Sequence, residues 1–332
     1  MRWLALLRGA AAIGPFLAAP APVRPEVPPE PLPWQDAAPL AIPFLQLPFE
    51  APATLASGRV QVELRTIYAN NIASVQSSEL EVEYHMETAQ PSAIVRYGLT
   101  DRLELHLEAA AVLEEMAFFD PAIKTVESWL GTLNKLRRVP LSREPSFRLA
   151  RPGGGPAVTF DSPGARLGDI WLGAKGLLLG LPGRGPTLSV RAAVKLPVGQ
   201  FPYGSGVLEG GLGLLFAYDF PRTHAFAVAD LMVPDGPVSA VQLETRPHPT
   251  FQAAVGQELG SRVLLLLQGS THGSALRYVD TSEVDGWTFY VVAGARVMPT
   301  DTLSVGFGVI ENLVVTERGI DIGAILDLAW RP

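Results

Sequence analysis

The sequence predicts an all-β fold, an antiparallel transmembrane β-barrel of about 12 strands, with 14 as the alternative and a short helix in its longest extracellular loop. Three observations predict it. Polar and apolar residues alternate with period two over stretches of ten or more residues. Such stretches are longer than the ~5–6 residues of a mean soluble strand and match the ~9–11 of a tilted membrane strand. Short and long connections also alternate along the chain, as they do where tight turns face one side of a membrane and loops the other. Finally, mean hydropathy is positive, +0.21, yet no uninterrupted apolar run beyond the N-terminus approaches the ~20 residues of a spanning helix. Alternating strands reconcile the two, because their membrane-facing residues are every second one.

The composition narrows the rest. Charged residues are 18 % of the 332, sparser than the ~25 % of ordinary soluble domains. A net charge of −7 with no basic tail argues against a nucleic-acid partner. The absence of cysteine excludes disulfides, thiol catalysis, cysteine-ligated metal and a lipoprotein anchor.

Residues 1–21 read as an export signal. Arg2 and Arg8 are its only charges, and the apolar run 9–19 ends in small residues. Gly14-Pro15 shortens any helix there, which favours a cleaved signal over a retained anchor. Residues 22–58 hold ten prolines and form a Pro-rich periplasmic segment or partial plug, since proline cannot donate to a ladder. Within it, 40–49 is too apolar to float free and is expected in the periplasmic mouth of the barrel.

The barrel is expected over 59–332. Its first strand is 59–69, and 79–98 is read as one long strand with an irregularity near Pro91. Further strands start at Arg102 and cover 167–180, 186–197, 209–219, 224–233, 250–259, 262–270, 287–298, 302–311 and 320–330. That makes twelve, and splitting 79–98 would give thirteen, against the even-number rule. In the last strand Ile322, Ala324, Leu326, Leu328 and Trp330 share one face. This resembles the C-terminal signal of outer-membrane proteins, although Arg331-Pro332 follows the aromatic. In the loop 113–166, Asp120-Pro121 reads as a helix start, and Ile123, Val126, Leu130 and Leu133 recur at helical spacing beside Trp129. Arginines 137, 138, 143, 148 and 151 follow.

Several landmarks together resemble a family of bacterial outer-membrane proteins known as domain of unknown function 3187. They are Ala56-Ser57-Gly58, Ala69-Asn70-Asn71, the run Val95 to Glu104, Phe118-Phe119-Asp120, Lys195-Leu196-Pro197-Val198-Gly199 with Gly204-Ser205-Gly206, and Glu311-Asn312. The resemblance spans roughly residues 40–330 and implies a β-barrel and little more.

The residues offer five candidate groups. Glu63, Glu81, Glu83, Glu87, Glu104 and Glu108 are expected on the lumen face of three early strands, and Lys175, Arg191, Lys195 and Arg296 on that of later ones. Facing each other, the two sets would form a charge-selective constriction; paired, they would fill the interior with salt bridges. The second reading is favoured, because a lumen of about 12 strands is narrow. His85 and His106 invite a metal, but two histidines without a tight motif do not make a site, and neither metal nor cofactor is expected. Ser270 and His272 suggest a hydrolase, yet no G-x-S-x-G elbow occurs, and a polar loop is the simpler reading. Trp171, Trp287 and Trp330, with Tyr97 and Tyr218, read as interfacial belt residues. The loop helix around Trp129 is either a constriction inside the barrel, a lid, or a shield.

The expected function is a passive channel or transporter for a small solute in the bacterial outer membrane. Its lumen rows would select, and Ile123, Val126, Trp129, Leu130 and Leu133 would gate. A structural or interaction barrel with a filled lumen is the alternative; a lipid-modifying enzyme is a third reading, and no enzymatic activity is expected. The expected partners are outer-membrane lipid, the barrel-assembly machinery through the last strand, and a small solute.

Overall fold

The structure, a computed structural model, describes residues 29–332 except 116–119, 131–135, 137–144, 161–162, 182–183, 278 and 314–317. The expected export signal lies outside the described residues. The strands are β1 (Val60–Gln76), β2 (Glu81–Thr100), β3 (Leu103–Glu115), β4 (Ser146–Ala150), β5 (Ala157–Phe160), β6 (Gly164–Leu181) and β7 (Arg184–Leu196). After them come β8 (Glu209–Asp219), β9 (Thr223–Pro234), β10 (His248–Leu259), β11 (Val263–His272), β12 (Thr288–Val297), β13 (Leu303–Asn312) and β14 (Ile322–Trp330). Two short helices, α1 (Asp120–Leu130) and α2 (Ser282–Asp285), lie in loops. No described helix is long and apolar enough to cross a membrane.

All neighbouring strands pair antiparallel, and β1 closes the circle by pairing with both β2 and β14. Closure removes the exposed edges that an open sheet would present. β4 and β5 stand outside the circle, as a hairpin added to the upper end of β2. Twelve of the fourteen strands therefore make the barrel, in the order the alternation and connection lengths predict. The hairpin β4–β5 is an addition that the reading of 113–166 as a loop with one helix missed. It is short, with one large apolar pair at period two in each strand, Phe147 and Leu149 in β4 and Val158 and Phe160 in β5.

The outer wall is apolar. Leu212 of β8, Leu267 of β11, Phe307 of β13 and Leu326 of β14 are about half exposed or more. Two aromatic girdles bound this band. Tyr97, Tyr218, Phe220 and Trp330 lie at the end where β1 starts and β14 finishes, here called the turn end. Phe251 and Trp287, stacked at 6.1 Å, lie at the opposite, loop end. Trp171 does not join them: it is buried and faces the lumen, with Glu108 and Lys195 as its cross-strand partners.

Residues 29–58 run inside the barrel. The chain enters near Arg331 at the turn end, rises past β12 and β13, reverses at the loop end around Leu40–Phe44, and descends to β1. The two arms are tied where Gln35 donates to the Gln46 carbonyl (2.5 Å) and Gln46 Oε1 accepts from the Asp36 amide (2.6 Å). Packing fixes the rising arm as well. Leu32 sits in a recess floored by Gly294, Gly306 and Gly308, where an added Cβ would stand 2.7–2.8 Å from its methyls. The segment thus goes far deeper than the mouth that its apolar stretch suggested.

The upper lumen is sealed by an apolar cap. Val82, Tyr84 and Met86 of β2 meet Phe147 and Leu149 of β4, loop residues Val238, Val241, Leu243, Leu276 and Val279, and the plug tip, Leu40 and Phe44.

Candidate functional site

Cross-strand partners share a face of a sheet, so the register fixes which residues look inward. Glu63, Arg65 and Arg96 of the first two strands do so, as do Glu104, His106 and Glu108 of β3. Lys175, Arg191 and Lys195 of β6 and β7, Asp230 of β9 and Arg296 of β12 face the same space. All are buried. Of the expected lumen residues, Glu63, Glu104, Glu108, Lys175, Arg191, Lys195 and Arg296 are therefore inside.

Glu81 and Glu83 are not. The β1–β2 register is unbroken, so they share the outward face of Leu64 and Val95, above the apolar band. Glu81 meets Arg148 of the added hairpin at 3.1 Å, with both side chains well exposed. Glu87 and His85 lie on that same outer face. Glu87 is held by Tyr68 and Asn70. His85 and His106, expected on one side, thus face opposite ways.

The charges inside do not form opposed rows. They pair mostly with near neighbours: Arg65 with Glu108, Lys175 with Glu104 (3.3 Å), Arg191 with Asp230 (2.7 Å), Lys195 with Glu209 (2.5 Å) and Asp169 (2.7 Å), and Arg296 with Asp327 (2.7 Å). Glu50 of the plug enters the largest cluster, 2.8 Å from both Lys175 and Arg191. Burial disfavours an ionised Glu50, but Lys175, His106, Arg96 and Arg191 outweigh it and hold the carboxyl well below the usual carboxylate range.

A second set of contacts explains the prolines. Arg296 donates to the Pro31 carbonyl (3.0 Å), Arg65 to Pro33 (3.3 Å), Lys195 to Pro43 (2.6 Å), Arg191 to Pro48 (2.7 Å) and Ser189 to Pro52 (2.6 Å). A buried strand normally needs partners for its amides and its carbonyls alike. Proline deletes the amide demand and keeps the carbonyl, which suits a lumen rich in donors. Where amides remain, wall acceptors meet some of them: Gln268 takes the Leu32 N–H (2.6 Å), Glu209 that of Leu45 (2.8 Å) and Glu104 that of Leu55 (2.7 Å).

The motif Lys195 to Gly199 with Gly204-Ser205-Gly206 has a structural role here. Loop 197–208 folds back onto Asp169, whose carboxylate accepts from the Gly199 amide (2.8 Å), the Ser205 amide (3.3 Å) and Lys195. A Cβ on Gly199 would stand 2.9 Å from the Gly168 backbone, so this approach requires glycine.

Ligand atoms of Glu50, Glu104 and His106 lie within 4.8 Å of one another. The carboxylates are already neutralised by Lys175 and Arg191, so the chemistry of the cluster is that of a salt-bridge network. Ser270 and His272 share the inward face of β11, and the hydroxyl contacts Nε2. Nδ1 meets Thr250 (3.3 Å), and Trp34 and Tyr290 pack edge-on to the ring. Facing inward, the pair is turned away from bilayer lipid.

The described part of the loop helix is anchored outside the lumen. Asp120, which opens α1, meets His85 (2.5 Å) and Asn70 (3.0 Å) on the outward face of the hairpin. Ile123 is half-buried and Trp129 is 84 % exposed. Leu133 and the side chains of Val126 and Leu130 lie outside what is described. The helix therefore sits beside the wall, because its first carboxylate finds a partner there.

No protein-family model and no curated protein matches the chain. Among solved structures, the COG4313 outer membrane channel from Pseudomonas putida F1 superposes with a TM-score of 0.55 at 13 % identity, covering 84 % of this chain and 97 % of that one. A NanC porin (TM-score 0.44, 7 % identity, 81 % and 97 % covered) and a FadL homologue of Pseudomonas aeruginosa (0.38, 11 %, 91 % and 98 %) are further matches. The first likeness is one of fold: this chain is a closed antiparallel β-barrel of the outer-membrane architecture.

Proposed function

We propose that the protein is a bacterial outer-membrane channel that passes a small solute passively and is held closed, in this conformation, by its own N-terminal segment. The observation that carries this reading is what fills the lumen. One continuous segment, 29–58, occupies the space between the walls, and the wall's own ladders close without it. Its carbonyl contacts exchange readily for water or a solute acceptor, so it can move while the strands stay paired. The seven inward charges expected from the sequence select the solute once the segment leaves. Export by the N-terminal signal, contact with outer-membrane lipid around the apolar band, and assembly through β14 belong to the same reading. So does membership of the domain of unknown function 3187 family, which rests on the motifs quoted above.

A filled structural barrel is the second reading, favoured by one observation: Glu50 is buried among Arg96, Lys175, Arg191 and the His106 ring. Planar-bilayer recording separates the two. Removing residues 29–57 is expected to give stepwise conductance where the full chain is mostly closed. A deletion variant that shows the heat-dependent gel shift of a folded barrel and never conducts would establish the structural barrel instead.

A further inference from the structure

The plug, residues 29–58, carries three carboxylates, Glu30, Asp36 and Glu50, and no cation. Glu30 pairs with Arg331 (2.8 Å), and Glu50 with Lys175 and Arg191 (2.8 Å each). Asp36, beside the upper part of β12, is held differently. Its Oδ2 accepts from the Tyr290 hydroxyl (2.9 Å) and its Oδ1 from the Ala38 amide (3.0 Å). No cation among the described residues forms a direct ion pair with it.

The cation it lacks stands nearby. Arg318, between β13 and β14, is 3 % exposed. Arg65, Arg96, Lys175, Arg191, Lys195 and Arg296 are buried as well, and each has a carboxylate partner at 3.6 Å or less. Arg318 has none among the described residues. It donates to the carbonyls of His272 (2.8 Å) and Gly273 (3.4 Å) and to Thr288 Oγ1 (3.2 Å), and its Nε–H has no acceptor. A buried charge without a counter-charge is costly and marks where an anion is missing. Arg318 and Asp36 line one cavity of about 20 Å³, and Asp36 is the carboxylate that acts on Arg318 most strongly through space. The volume holds about one water. On the plug side Leu40 and Phe44 close it. On the wall side His248 also lines it, and its Nε2 donates to the Leu45 carbonyl of the plug (3.2 Å). When the plug withdraws, the Tyr290 hydroxyl and His248 Nε2 therefore lose their acceptors, and Arg318 loses its nearest counter-charge.

We infer that Arg318, Tyr290 and His248 form a binding site for a small monocarboxylate, and that Asp36 keeps its place as a tethered stand-in for that solute. The chemistry follows from the donors. A carboxylate accepts from all three groups and neutralises the guanidinium. An ammonium finds a positive charge and no acceptor, and a phosphate dianion brings two charges to one cation. The space that Leu40 and Phe44 vacate beside Ala275 takes a short apolar body. Solute and Asp36 compete for the same donors, so the solute binds the unplugged form alone and draws the population toward it. The channel is thus opened by what it carries. The inference rests on the channel reading and names its substrate class.

The experiment records openings of the full-length chain in planar bilayers, with sodium butyrate as the probe and sodium chloride and n-butylammonium chloride at equal ionic strength as controls. Butyrate is expected to raise the open fraction about tenfold, saturably, where the controls do not. Asp36→Asn removes the competitor's charge, so basal openings should rise and the half-maximal butyrate concentration fall roughly tenfold. Arg318→Gln should abolish the butyrate response whatever its basal opening. Should that variant lose the heat-dependent gel shift of a folded barrel, Tyr290→Phe, which removes a hydroxyl alone, should raise the half-maximal concentration roughly fivefold. A butyrate response of full size in Arg318→Gln, or an unchanged half-maximal concentration in Tyr290→Phe, would overturn the site. Butyrate that opens the full-length chain no more than chloride would overturn the stand-in role of Asp36. Conductance of the 29–57 deletion keeps the two readings apart. A deletion that conducts while the full-length chain ignores butyrate removes the carboxylate site alone, and a deletion that never conducts removes the channel reading itself.

Discussion

The lower and upper halves of the β1–β2 hairpin share one unbroken register and yet carry opposite chemistry. In the lower half, Leu64 and Val95 face out while Glu63, Arg65 and Arg96 face in. In the upper half the same outward face carries Ser74, Gln76, Glu81 and Glu83, and the inward face carries Val75, Val82 and Tyr84. The backbone does nothing different at the crossover; the surroundings change. Beside lipid, the outer face must be apolar and the polar residues find partners in the lumen. Above the lipid, water takes the outer face and the loops bury the inner one.

This contrast can be tested from both ends. The largest effect short of removing the whole plug is expected in the cap. Tyr84→Ala leaves a cavity among Phe147 and the loop residues and should cost about 3–5 kcal/mol, read as a lower unfolding temperature and faster proteolysis of the loops. If Tyr84 faced lipid instead, the loss would be small and the loops would stay protected.

Glu50→Gln attacks the ionic half. It leaves Lys175 and Arg191 without one partner each, and removing one member of a buried pair costs about 3 kcal/mol. Here the loss falls on plug docking, so channel openings should become more frequent while the barrel's gel shift is retained. Acid should act in the same direction. The docked Glu50 carboxyl titrates well below its free value, so its contribution is full above ~4.3, the free pKa of glutamate. It is lost as pH falls through the docked value. Openings that do not increase below pH ~4 would remove Glu50 from the latch.

A smaller effect is expected at the glycine recess. A methyl on Gly306 would stand 2.8 Å from Leu32, and overpacking of this kind costs about 1–3 kcal/mol. Leu32→Ala should relieve the defect of Gly306→Ala, because the clash is with that side chain. A double variant no better than the single one would place the strain in the wall. The smallest effect belongs to Glu83→Leu, an exposed outward position, where a stability change within ~0.5 kcal/mol is expected. A loss of selectivity or conductance there would mean that Glu83 faces the lumen after all.

Much of the barrel was legible in the sequence because strand periodicity is local. Alternation from Arg102, the short connections at 182–185 and 260–261, and the aromatic-ended last strand each need only neighbouring residues to be read. So did the inward direction of Lys175, Arg191, Lys195 and Arg296, since lipid beside those strands leaves charge one place to go. The misplacement of Glu81 and Glu83 has the same origin as that success. The rule that puts charge inside holds only at membrane depth, and the residue count alone does not say where β2 leaves the bilayer. The gate role read for the helix has a related origin: an amphipathic pattern reports that a face is covered, not what covers it.

The sequence by itself determined the twelve alternating strands, their order and closure, and the proline content of the segment that precedes them, because these depend on spacings along the chain. Only the tertiary structure decided that this segment threads the lumen, that Glu50 lies between Lys175 and Arg191, and that Leu32 rests on three glycines of β12 and β13. Those contacts join residues more than a hundred positions apart in sequence, and no local pattern records which donor meets which carbonyl until the barrel has closed around them.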